Sequence, residues 1–156
     1  MEQEVLNKIS YGLYVVTANQ EGKDNGCVVD TVMQVAKEPQ IISFSVYKTS
    51  YTCEMIQNTR MCCISVLNED AQMELLKRFG YESGRDIDKF SDFTSCRKAA
   101  NGTMIITEGT NAYFTVDINQ QIDLGSHILF IGEPKEGEIF NDVSTMTYAY
   151  YAENKK

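Results

Sequence analysis

Lys48, Thr49, Ser50 and Thr52 follow directly on the run Ile41, Ile42, Ser43, Phe44, Ser45, Val46, so one ammonium and three short hydroxyls stand at the end of an apolar segment. Such a corner can hold a phosphate-ended ligand, with nearby backbone N–H groups adding donors. The chain has neither a P-loop nor a G-x-G-x-x-G motif, so any phosphate site has to be built from side chains of this kind. The same residues also suit a polar strand-to-helix turn with Ser50 or Thr52 as the helix N-cap.

The elements that would position this corner follow from hydrophobic pattern and breaker residues. Val5 to Tyr11 reads as a short helix and Leu13 to Ala18 as a strand. After a turn at Gln20 to Gly26, Cys27 to Ala36 reads as a second strand, Glu38-Pro39 as a break, and Ile41 to Val46 as a third. These three could form an antiparallel meander. Thr52 to Asn58 looks helical, Cys62 to Leu67 extended, and Ala71 to Phe79 amphipathic and helical, capped by Asn68 or Asp70. In the charged loop SGRDIDKFSDF, residues 83 to 93, Phe90 and Phe93 are the expected anchors to the core. Met104 to Ile106, Ala112 to Ile122 and His127 to Glu133 complete the strands. Six or seven short strands with a few short helices predict a mainly β chain, a small antiparallel barrel of Greek-key type rather than a doubly wound sheet.

At 156 residues and 43% apolar composition, one domain over residues 1–152 is expected, followed by a disordered tail at 153–156. A net charge of -8 has the wrong sign for nucleic acid or an anionic membrane surface. Neither a transmembrane-length apolar stretch nor a secretion signal is present, which predicts a cytoplasmic protein. Cys27, Cys53, Cys62, Cys63 and Cys96 lack metal-binding spacing, so reduced thiols and no metal are expected, with Cys62 and Cys63 as core residues.

KISYGLYVVTA, NGCVVDTVMQV, EPQIISFSVYKTSYT, FGYESGRDIDKF, IDLGSHILFIGEP and TYAYY, in this order, resemble the flavin reductase family with the FMN-binding split barrel. Within it, the similarity is greatest to the flavin-reductase portion of rubredoxin-linked flavoproteins, the flavoredoxin-like members. It covers nearly the whole chain. The resemblance implies that Asp30, Thr31, Val32, Met33 and Gln34 line a bound FMN, their backbone meeting the pyrimidine edge. It places Lys48, Ser50 and Thr52 on the phosphate, with Ser45, Val46 and Tyr47 nearby, in agreement with the local motif. Phe79 and Arg85 match a segment close to the cofactor, although Arg85 could equally form an ion pair with Asp86 or Asp88. His127, the only histidine, matches a position facing the nicotinamide, and a structural role at a strand start is the alternative. Tyr150 belongs to the C-terminal aromatic segment, with Tyr148 and Tyr151, that meets the cofactor, a second subunit or the core.

Three departures stand out. Asp30 replaces a neutral side chain, and at about 10 Å with an effective dielectric near 20 its repulsion of reduced flavin would be roughly 1.7 kcal/mol. Cys53 stands where many relatives have histidine, and no rubredoxin module with paired C-x-x-C motifs follows TYAYY. The function so implied is a flavin-dependent oxidoreductase passing reducing equivalents from NADH or NADPH to FMN, or through bound FMN to an acceptor. The alternatives are an electron-transfer protein working with rubredoxin or an iron-sulphur protein, and a non-catalytic flavin binder. A homodimer is expected, since a split barrel alone leaves an apolar face uncovered.

Overall fold

Where the sequence suggests a first helix, the computed structural model, which describes residues 1–155, has a 3-10 helix at Gln3–Lys8 that buries no residue. Val5, Leu6 and Ile9 all remain exposed. The first strand, β1 (Tyr14–Gln20), is buried on both faces from Val15 to Ala18 because α1 (Tyr51–Thr59) covers one side and a small ribbon the other. Glu21 and Gly22, both at positive φ, turn the chain back into β2 (Lys23–Val29). The turn expected over Gln20 to Gly26 is therefore confined to Glu21 and Gly22, and Lys23 to Gly26 are strand, paired with Thr17 to Gln20.

The strand read across Cys27 to Ala36 is two strands. It breaks after Val29 and resumes as β3 (Met33–Lys37), and a tight turn with a cis Glu38-Pro39 bond leads into β4 (Gln40–Tyr47). No meander forms from these strands, because β2 and β3 lie at opposite edges of one sheet. Its order is β2-β1-β5-β8-β9-β4-β3, with β5 (Met61–Leu67), β8 (Thr110–Asp123) and β9 (His127–Ile139) in the centre. Every pairing is antiparallel. The sheet curls until β2 approaches β4, while the edges stay unpaired, which is the split barrel implied by the resemblance.

Inside the barrel, Val16, Phe44, Val46, Cys62, Ile64, Val116 and Phe130 form the main core. A second core lies under α2 (Met73–Gly80) and α3 (Tyr148–Asn154). There Phe79, Phe90 and Phe93 meet edge to face at 5.3–5.9 Å, so the two anchors read from the charged loop do reach the core. The ribbon pairs β6 (Cys96–Lys98) with β7 (Met104–Ile106). Helix α3 runs through Glu153 and Asn154 of the expected tail and is closed by Lys155, while Lys156 lies outside the described residues. All five cysteines are free, with Cys62 and Cys63 buried.

Candidate functional site

Period-two alternation in β4 decides which of its residues can meet a ligand. Ile42, Phe44 and Val46 point into the barrel, and Ser45 and Tyr47 point the other way, toward a cavity of about 470 Å³. Val46 is consequently a core residue, 1% exposed. The cavity is walled by the end of β2 (Asn25 to Asp30), the first turn of α1, the end of α2 with the loop after it, and His127 at the start of β9. Asp30, Ser45, Tyr47, Ser50, Thr52, Phe79 and His127 are thus brought together as the sequence suggests.

At the α1 end, Ser50 is the N-cap, its Oγ accepting from the Cys53 N–H at 3.1 Å. Capping does not exclude ligand binding, because the hydroxyl proton is not used by the cap. Thr52, 1% exposed, accepts from Asn25 Nδ2 at 3.0 Å. The first backbone N–H groups of the helix, at Tyr51 and Thr52, have no carbonyl partner within the helix.

The cation in this lining is Lys89. Only 3% of it is exposed, and its Nζ donates to the carbonyls of Gly26 (2.8 Å) and Phe79 (3.2 Å). Burial lowers its pKa, and electrostatic interaction with the Cys27 and Glu82 side chains partly opposes that shift. Lys48 sits outside the cavity lining, its ammonium hydrogen-bonded to Asp123 and its backbone N–H to Ser126. That bond from Lys48, followed by the Gly125 N–H, holds the Asp123 carboxyl below its ordinary range. Lys48→Ala is accordingly expected to change FMN affinity less than about threefold, as an exposed ion pair contributes little. Fluorescence titration checks this, and a loss confined to FMN and absent for riboflavin would return the phosphate to Lys48.

Arg85 is outside the cavity lining: it pairs with Glu54 at 3.3 Å, rather than with Asp86 or Asp88, and its guanidinium lies 5.1 Å from the ring centre of Tyr51, which does line the cavity. Thr31 ties the β2–β3 crossing to β4, accepting from the Ser45 N–H at 3.0 Å and sharing a 2.8 Å hydrogen bond with Ser45 Oγ. Met33 is exposed on edge strand β3, and Val32 and Gln34 line a separate hollow with Tyr14, Ile42 and Phe114. The break after Val29 gives the reason, since the β2 and β3 segments no longer share one line along the cavity. At the other end, the His127 ring meets Tyr47 edge-on at 5.1 Å, with Nδ1 2.8 Å from Ser126 Oγ.

An adjoining bay of about 360 Å³ shares Val28, Val29, Asp30, Gly80 and Tyr81 with the cavity. Tyr148 and Tyr151 line it, whereas Tyr150 packs into the core beneath α2 and α3. The Tyr81 and Tyr151 hydroxyls are hydrogen-bonded over the bay, and that bond, then burial, pushes the Tyr151 pKa up to about 12. Asn25, Lys89, Tyr51 and Tyr81 are lining residues that sequence reasoning missed. The signal for Lys89 was its place directly before the anchor Phe90, which carries a neighbouring residue inward with it.

Residues 6–156 match the family model described as a flavin reductase like domain. The chain is 35% identical over its full length to the high molecular weight rubredoxin of Moorella thermoacetica, covering 68% of that protein. It is 31% identical, again over its full length, to the ferric-chelate reductase (NAD(P)H) of Archaeoglobus fulgidus, covering 92% of it. Among solved structures, the NADH:FAD oxidoreductase SgcE6 of Streptomyces globisporus C-1027 superposes with a TM-score of 0.82 at 20% identity, over 93% of this chain and 85% of that one. An FMN-binding protein from Thermus thermophilus superposes at 0.78 and 20% identity, over 89% and 76% of the two chains. These two likenesses are of fold.

Proposed function

The chain belongs to the flavin reductase like domain family, and on that premise we propose that it holds FMN in the 470 Å³ cavity as a flavin-dependent oxidoreductase. The observation that supports FMN is Lys89, an ammonium buried against two carbonyls in a chain of net charge -8, with the first turn of α1 beside it. A buried cation without a carboxylate bonded to it is costly, and an anionic ligand end relieves that cost. The residues present fit a flavin with a phosphate tail. Lys89, Ser50, Thr52 and the α1 N–H groups receive the phosphate, and Lys89 takes the role that the sequence gives to Lys48. Asp30, Ser45 and Tyr47 flank the ring, while Arg85 lies against Tyr51 from outside the lining. Bound flavin supplies the hydride or electron transfer, and the protein sets its position and access.

His127 and Tyr47 form the surface against which NADH or NADPH approaches in this reading. The visible spectrum of the purified protein tests it first, by oxidised-flavin bands that survive gel filtration. His127→Ala is then expected to slow reduction by NADH about tenfold while leaving flavin affinity within about twofold, since it disturbs orientation of the donor and not the phosphate grip. Stopped-flow reduction reads the first quantity. Unchanged kinetics would leave His127 as a strand-start residue held by Ser126.

The similarity to a high molecular weight rubredoxin supports a second reading, in which electrons arrive from an iron-sulphur partner. Reduction by a rubredoxin system but not by NADH or NADPH would select it. We also propose a homodimer, supported by exposed Met33 and Val35 on edge strand β3 and by exposed Val5, Leu6 and Ile9 on the N-terminal turn. Among the described residues no helix is long and apolar enough to cross a membrane. A single domain over residues 1–152 and a cytoplasmic location remain part of the proposal.

A further inference from the structure

Beside the flavin cavity, the 360 Å³ bay has a lining to which the reading above gives no task. Leu13, Val28, Val29 and Leu76 make its walls apolar, and the Tyr148 and Tyr151 rings, with centres 5.8 Å apart, add an aromatic side. Such walls favour a flat, uncharged ring that loses water on entry. Two polar features interrupt them. The first is the hydroxyl pair of Tyr81 and Tyr151, in which one O–H lies between the two oxygens whichever of them donates. The second O–H is left to donate, and lone pairs on the same oxygens are left to accept. Tyr151 keeps its proton, because the bond to Tyr81, then burial, pushes its pKa up to about 12. By reversing the bond inside it, the pair can meet a ligand oxygen as carbonyl or as hydroxyl. The second feature is Asp30, the charged residue of the bay lining, which also faces the cavity. Lys8 borders the next hollow together with Asp30, but it is exposed, where water and salt screen it.

We infer that the bay binds an uncharged quinone beside the flavin, with the Tyr81 and Tyr151 hydroxyls on one of its oxygens and Asp30 as the residue that turns away anionic rings. This rests on the reading above, in which FMN occupies the cavity. Val28, Val29, Asp30, Gly80 and Tyr81 belong to both spaces, so the two ligands lie side by side. A quinone suits the hydroxyl pair because its oxygen is an acceptor before reduction and carries a proton to donate after it, and the pair serves both forms. That conversion adds two electrons and two protons to the quinone. Reduced flavin supplies them as one hydride, and water on the exposed side of Tyr81 supplies the remaining proton, so that both C=O bonds become C–OH bonds. An anionic ring fits the same walls but meets the Asp30 carboxylate, with no cation in the bay lining to offset the repulsion.

The test is calorimetric titration of the oxidised, FMN-saturated protein with dimethylnaphthoquinone, whose fully substituted quinone ring does not add to cysteine thiols, and with the same molecule sulfonated on its other ring. No reductant is present, so binding is read without turnover. The neutral quinone is expected to bind, and its sulfonate about tenfold more weakly, as repulsion across about 6 Å at an effective dielectric near 40 gives. Asp30→Asn should bring the two within about threefold of each other. Tyr81→Phe, which keeps a ring at this exposed position, should weaken the neutral quinone about two- to tenfold by removing the hydroxyl pair. Binding to flavin-free protein that saturating FMN abolishes would mean that the flavin's own ring fills the bay, which overturns the inference and leaves the flavin reading standing. A wild-type ratio below about twofold, or one unchanged in an Asp30→Asn protein that still binds FMN, overturns the selection by charge, and an unchanged affinity in Tyr81→Phe overturns the hydroxyl contact. Failure of FMN to bind the wild-type protein overturns the flavin reading itself, and quinone binding that Tyr81→Phe weakens would then still support the bay as a site.

Discussion

Lys89→Met is expected to weaken FMN binding between about tenfold and about 150-fold while leaving riboflavin affinity nearly unchanged. The range follows from the roughly 1.5–3 kcal/mol carried by a charge-assisted hydrogen bond, and methionine keeps the aliphatic stem that fills the same channel. Stability of the flavin-free protein should move the opposite way or not at all. The ammonium is buried against the carbonyls of Gly26 and Phe79, with the Glu82 carboxylate acting on it through charge and not through a bond. Its folded pKa lies below the unfolded value, so the unfolded chain binds the proton more tightly. The charged form therefore costs folding free energy at neutral pH, and that cost is relieved as pH rises between the folded value and the ordinary lysine value. Methionine removes the cost together with the two hydrogen bonds. Calorimetric titration with both ligands, beside urea unfolding without either, separates the two effects. Equal losses for FMN and riboflavin would show that Lys89 supports the ring or the fold and does not hold a phosphate.

Much of the frame around Lys89 was legible because its elements announce themselves locally. The alternation of Ile42, Phe44 and Val46 with Ser43 and Ser45 fixes a strand, and Ser50, whose side chain accepts from the N–H three residues on, fixes the start of α1. The same alternation also says that Ser45 and Val46 cannot face one ligand, so Val46 belongs to the core while Ser45 meets the cavity. The division between β2 and β3 was hidden because Cys27 to Ala36 holds neither glycine nor proline and only Asp30 marks the break, and the bend there is held by Thr31 hydrogen-bonded to Ser45, fourteen positions away. Lys89 was hidden for a related reason. A lysine in a charged loop reads as solvated, and only the docking of Phe90 and Phe93 on Phe79 draws its stem through the interior. Helix α3 was missed because TYAYY has no helical apolar stripe of its own, and Thr147, whose side chain accepts from the Tyr150 N–H, supplies its start.

Phe130→Ala is expected to destabilise the protein by about 3–5 kcal/mol, a large part of the roughly 5–15 kcal/mol that holds an ordinary domain together. Phe130 is fully buried, with its ring centre 5.4 Å from that of Phe44, and the two are direct partners across β4 and β9. On the same pair of strands, Ser45 stands opposite Leu129 and Tyr47 opposite His127. The aromatic pair therefore fixes from inside the barrel the register that sets Tyr47 against His127 outside it. Loss of the ring leaves a cavity beside the Val46 and Ile128 pair of the same two strands, so Tyr47 and His127 should lose their fixed edge-on contact as well. Saturating FMN should restore part of the stability, about 2.7 kcal/mol at one hundred times the dissociation constant, because the ligand binds the folded form alone. Urea unfolding with and without FMN measures both quantities. A cost below about 1.5 kcal/mol would mean that the barrel core closes around the missing ring and that its packing does not set the site's register.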